Sequence, residues 1–252
     1  MGNVMDYLEW RGDLTFEQSP FNDVDNVILA QLAYVDFRDV IPSLQMNRGI
    51  TLKKASEIFF DLHTEEELSR DKSFIKDAPY LMKKAASTKR FKDVILSDYV
   101  DTIDETLEKQ FGAFHIKLTP QLTYVAFRGT DDTLVGWKED FNMSYLKNVP
   151  AQDSALCYFK SAAEELDGVF ILGGHSKGGN LSVYAAANAD EDEFLRIEKI
   201  IPRINSIAKI DNVIFRKNRL SLSDISRLSV ATGAYRKIIA AQTNSPKIYC
   251  DI

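Results

Sequence analysis

Apolar residues recur along this chain with two different periods, and the changes between them mark out its elements. Over 21–37, Val24, Val27, Ile28, Leu32 and Val35 fall at helical spacing, with Asn22 or Asp23 placed to cap the start. Residues 51–62 and 78–88 predict two more helices, and residues 1–22, with Trp10 and Phe16, predict an irregular lead-in. The period then shortens to two. Strands are predicted near 94–96, over 110–118 and over 121–127, the last two joined as a hairpin at Thr119-Pro120. An Ala-rich stretch, 151–166, predicts a helix, and the apolar run 169–172 predicts a buried strand. A glycine-rich corner and a second Ala-rich helix start follow. Beyond Asn188 the spacing of Phe194, Leu195, Ile197, Ile200 and Ile201 predicts a helix that Pro202 ends. Residues 204–210 fit either type, 212–215 predict a strand, and 220–228 and 231–241 predict helices.

This order predicts the α/β class: one domain with a mostly parallel sheet and helices on both faces. Its parts are an N-terminal helical layer over 1–92 that could act as a lid, a sheet core over 93–190, and a C-terminal helical part over 191–252. Hydrophobic residues at 45% and charged residues at 27% fit a globular protein with a large core. A net charge of −6 argues against a nucleic-acid surface, where a basic patch is expected. The local positives Lys83-Lys84 and Lys89-Arg90-Phe91-Lys92 read as solvated helix ends. No apolar run reaches the roughly 18 residues of a membrane span, and the start, Met1 to Asp6, lacks the pattern of a signal peptide. The two cysteines, Cys157 and Cys250, show neither ligand spacing nor a disulfide framework. Cys157 reads as a buried packing residue. Together these features predict a cytoplasmic protein without a cofactor.

The candidate chemistry lies in the corner Gly174-His175-Ser176-Lys177-Gly178, between a predicted strand and a predicted helix. That context turns a common pentapeptide into a nucleophile elbow. Ser176 would be held in a strained backbone at a helix N-terminus. Gly174 and Gly178 are needed there because a side chain at either position would meet the neighbouring strand or helix. A second loop, Arg128-Gly129-Thr130-Asp131-Asp132, leaves the end of the 121–127 strand, where α/β sheets place ligand-binding groups. The backbone N–H groups of Thr130 and Lys177 are then the candidate oxyanion donors. Asp140 reads as a structural acceptor near Arg128 or a loop amide; Asp131, Asp132 and Glu139 read as solvated.

Phe127-Arg128-Gly129-Thr130, then Trp137 and Asp140, then Gly174-His175-Ser176-Lys177-Gly178-Gly179 resemble the class-three lipases of the α/β-hydrolase superfamily. The stretch 125–143, with the opening Asp6-Tyr7-Leu8-Glu9-Trp10-Arg11-Gly12-Asp13, looks like a bacterial branch of them, the Mbeg-like family. The resemblance covers about residues 5–190. It implies the α/β-hydrolase fold and a serine hydrolase that cleaves a carboxylic ester, lipid-derived or otherwise small, through an acyl-enzyme on Ser176. Lys177 departs from the leucine such lipases carry, which predicts a more cationic mouth.

A serine needs a base, and in this fold the chain order is Ser, acid, His. The three histidines, His63, His115 and His175, all precede Ser176. His175 cannot reach over its own turn, His63 reads as a solvent-facing helix end, and the alternation around His115 places it on a polar strand face. The triad acid and histidine are therefore unassigned. Either the chain is a hydrolase-like binding or regulatory protein, or it lacks internal segments, with joins near 190–193 and 204–211. A bare sheet edge favours the second.

Overall fold

Short connections fix the first half of the sheet, and helical crossovers fix the second. The computed structural model describes residues 3–41, 49–70 and 76–203. Its six-stranded sheet has the order β1 (Ile50–Thr51), β2 (Ile95–Asp104), β3 (Lys109–Thr119), β4 (Leu122–Phe127), β5 (Val169–His175) and β6 (Ile197–Arg203). The predicted hairpin joins β3 to β4 through two residues, and β2 turns into β3 over four, with the Asp104 carboxylate accepting the Thr106 and Leu107 amides. Such short links force antiparallel neighbours. The β1–β2, β2–β3 and β3–β4 pairings are accordingly antiparallel, and only β4–β5 and β5–β6 are parallel. The sheet is thus mixed, not mostly parallel as expected.

Alternation along the central strands sends side chains to two cores. Tyr124, Ala126 and Ile171 face one cluster, closed by α2 (Asp23–Leu32), α3 (Leu52–Leu62) and α5 (Ala78–Ala86). Val125, Phe127, Phe170 and Leu172 face the other, closed by α7 (Pro150–Glu165) and α8 (Lys177–Asn188). Helices cover both faces, and the N-terminal ones form a single packed layer. Asn22 caps α2 and Thr51 caps α3 through their side-chain oxygens. The lead-in is not irregular: Asn3 and Asp6 form a reciprocal capping box that starts α1 (Val4–Arg11).

Arg90, read from sequence as part of a solvated basic end, is fully buried. It pairs with Asp25 at 2.6 Å and donates to the carbonyls of Leu14, Thr15, Ser19 and Pro20. The lead-in is therefore tied to the helical layer by one guanidinium. Cys157 is half-buried on α7, where the sequence predicted a buried packing residue.

After the elbow helix the chain passes through the short α9 (Glu191–Leu195) into β6. The predicted helix over 194–201 is mainly strand. A register shift between Phe170 and Ile171 means that Ile197 pairs with Phe170 and Lys199 with Ile171, leaving Glu198 as an extra residue. That bulge breaks the alternation, so Ile197 and Ile200 reach the same core three residues apart and mimic a helical period. Pro202 is accommodated in this strand, which has one described neighbour. The expectations for 204–252 lie outside the described residues. Among the described residues no helix is long and apolar enough to cross a membrane.

Candidate functional site

β5 ends at His175, and α8 begins at Lys177. Ser176 joins them at φ 56° and ψ −122°. A non-glycine residue there carries strain of about 1–3 kcal/mol, so the surroundings must impose it. They do so by close packing of main chain on main chain. A Cβ built on Gly178 would lie 2.1 Å from the carbonyl oxygen of Phe127, and one on Gly174 would lie 2.5 Å from the same oxygen. The elbow therefore presses against the last residue of β4, at the start of the Arg128-Gly129-Thr130 loop. Gly129 completes the contact from the other side: its Cβ would fall 2.5 Å from the carbonyl oxygen of His175. Glycines at 129, 174 and 178 let the two loops touch.

Ser176 is half-buried, and its hydroxyl makes no hydrogen bond among the described residues. The amides of Thr130 and Lys177 also make none among them. Two unspent N–H donors and one unspent hydroxyl thus lie on adjoining loops, with the positive end of α8 behind the serine. The Thr130 hydroxyl oxygen is buried without a hydrogen bond of ordinary geometry, yet the Asp140 carboxyl is close enough to feel it. Burial raises the Asp140 pKa above the usual aspartate value, opposed by the Lys177 charge and the Thr130 hydroxyl. Asp140 lies on α6 (Leu134–Asn142) and interacts with Thr130 rather than Arg128. Arg128 instead binds the Asp101 carboxylate with two nitrogens and approaches Asp131 at 3.6 Å.

The Lys177 side chain does not line the mouth. It is fully buried beneath the elbow, where Nζ donates to the Gln110 carbonyl at 2.7 Å, to Gln110 Oε1 at 2.5 Å and to Glu139 Oε2 at 2.8 Å. Burial lowers the lysine's pKa despite the attraction of Glu139. Glu139, read from sequence as solvated, is buried too and accepts the amides of Gln110 and Ala151. This pair pins α6 and the start of α7 to the elbow. No sequence signal paired these residues, because a lysine and a glutamate thirty-eight positions apart on amphipathic helices both read as surface.

The histidines lie apart from the Ser176 hydroxyl. His63 packs at a tilt against Phe59 at the end of α3, 4.5 Å between ring centres. His115 lies opposite Val125 on β3, two strands from β5, roughly 10 Å across the sheet. Its strand face is not solvated but covered by α7: the ring is buried against Tyr158, and Nδ1 is bonded to Asp98 at 2.8 Å. The Nδ1 of His175 contacts the Tyr34 hydroxyl at 3.0 Å. Tyr34, immediately after the α2 C-cap, was missed from sequence, since nothing in the pattern brings it to the elbow. Among the described residues no group of His, Cys, Asp or Glu is arranged to hold a metal ion.

The geometry defines a mixed α/β protein that presents a strained serine between a strand and a helix. A family model described as Mbeg1-like matches residues 85–220, more than half of the chain, and the chain belongs to that family. No curated protein and no solved structure matches it.

Proposed function

We propose that this protein is a serine hydrolase of the α/β-hydrolase fold that cleaves a carboxylic ester, with lipid-derived esters in its range. The observation that carries the reading is the backbone of Ser176 at φ 56° between β5 and α8, packed through glycines against the end of β4. Strain of this kind persists where a fold over-determines it, and a hydroxyl thrust clear of its own helix is what a nucleophile requires. The parallel β4–β5–β6 unit, with the two loops at the carboxyl ends of its strands, supports the fold assignment.

In this mechanism Ser176 Oγ attacks the ester carbonyl carbon. The carbonyl oxygen takes the negative charge and is held by the N–H groups of Thr130 and Lys177. Collapse expels the alcohol, which carries away a proton, and leaves an acyl-serine that water cleaves to the acid. The positive end of α8 favours the anion from behind.

A second reading, a hydrolase-like binding or regulatory protein, is favoured by one observation: none of the three histidines is bonded to Ser176. A fluorophosphonate probe with mass-spectrometric readout separates the two. The expected result is one adduct on Ser176, absent from Ser176→Ala. Folded protein that stays unmodified at high probe concentration would leave the binding role.

A further inference from the structure

We infer that Tyr34 is a positioning residue for the reacting serine, tying the N-terminal helical layer to both loops of the site through its hydroxyl. This inference rests on the hydrolase reading and deepens it. The Tyr34 oxygen lies 3.0 Å from His175 Nδ1 on the elbow. On its other side it meets the glycine before Thr130: a Cβ on Gly129 would lie 2.1 Å from that oxygen, and the Gly129 amide interacts with it. One hydroxyl therefore touches the residue before the nucleophile and the residue before the Thr130 amide. Both are main-chain neighbours of the reacting groups, so a shift of the hydroxyl moves them together.

The direction of the bond follows from counting protons. A phenol has one, and burial raises the Tyr34 pKa, which keeps that proton in place. The Gly129 amide lies beside the oxygen but is no partner for its proton, because an N–H donates and cannot accept. Among the described residues the hydroxyl has no acceptor other than His175 Nδ1. Leaving the proton unused in this half-buried setting would forgo a hydrogen bond worth about 0.5–1.5 kcal/mol. Tyr34 therefore donates to Nδ1, which leaves the imidazole proton of His175 on Nε2. The elbow histidine acts as a fixed acceptor that holds its turn in place, rather than as a base for its neighbour.

Tyr34→Phe keeps the ring and deletes the bridge. Two readouts are taken on the full chain: the rate of Ser176 modification by the fluorophosphonate, and the imidazole nitrogen shifts of His175, with His63→Gln used for assignment. The expected results are an Nε2–H tautomer in the parent and a mixed one in Tyr34→Phe. Modification should slow about ten- to a hundredfold, the scale of a displaced reacting group. An Nδ1–H tautomer in the parent, or a Tyr34→Phe protein that reacts at the parental rate, overturns the inference alone. A folded parent whose serine never reacts overturns the hydrolase reading, and the positioning role with it. Should Tyr34→Phe not fold, His175→Asn and His175→Leu test the bridge from its other end. Asparagine offers an oxygen near the Nδ1 position and should retain most of the rate, whereas leucine should lose it; equal rates overturn the bridge.

Discussion

Replacing Lys177 by methionine removes one buried charge and leaves the other in place, and the structure sets the size of the effect. The ammonium and the Glu139 carboxylate are both fully inaccessible to solvent, 2.8 Å apart. Methionine keeps the length and apolar stem. It deprives Glu139 Oε2 of its cation, and it leaves the Gln110 carbonyl and Oε1 without the donor they share. The Gln110 and Ala151 amides still solvate the carboxylate, at 3.0 and 2.9 Å, but neither carries charge. Breaking a buried pair from one side costs about 3–5 kcal/mol. At about 2–4 °C per kcal/mol for a chain of this size, the thermal midpoint falls by about 6–20 °C. Glu139→Gln should cost a similar amount, since it strands the ammonium and turns an amide N–H toward backbone donors. The double variant leaves no stranded charge. Its loss should therefore be smaller than the two single losses together, by about 1–3 kcal/mol. Urea unfolding of the four proteins gives the cycle. A Lys177→Met loss under about 1 kcal/mol, additive with that of Glu139→Gln, would refute the buried pair, because an exposed pair behaves that way.

Two further substitutions test the site from other directions. Ser176→Gly relieves a positive φ worth about 1–3 kcal/mol and gives back about 0.5–1 kcal/mol in unfolded-chain entropy, so its thermal midpoint should rise by a few degrees; a lower midpoint would mean that the serine is not strained. For Asp140, burial is the main cause of its raised pKa. Its stabilising effect is thus fully present below the ordinary carboxylate value, about 3.9, and is lost as pH rises through the folded value. Asp140→Asn should gain stability relative to the parent on going from acid to neutral pH in urea unfolding, and a difference constant with pH would contradict the assignment.

The residues differ in how much of this could be read from order alone. The elbow was legible because its chemistry is local: a strand, a serine between glycines and a helix are adjacent in the chain, and steric demand picks the residues. The β3–β4 hairpin and the α2 and α3 starts were legible for the same reason, each fixed by a turn or cap a few residues long. β6 was not. Its bulge replaces a period of two by a spacing of three, and only the partner strand tells one from the other. Arg90, Glu139 and Lys177 were misread together, since long charged side chains look alike whether a partner across the fold buries them or water does.

By itself the sequence determined the α/β class, the two-sided alternation of the central strands and the strand-to-helix corner that carries Ser176. Each of these follows from backbone sterics and from apolar residues seeking cover within a short span of chain. Tertiary structure alone decided the mixed direction of the sheet, the buried cation beneath the elbow, the seating of His115 under α7 and the contact between Tyr34 and the serine's neighbour. Those outcomes depend on which distant surfaces meet, and a buried charge or hydroxyl takes its function from the partner that satisfies it.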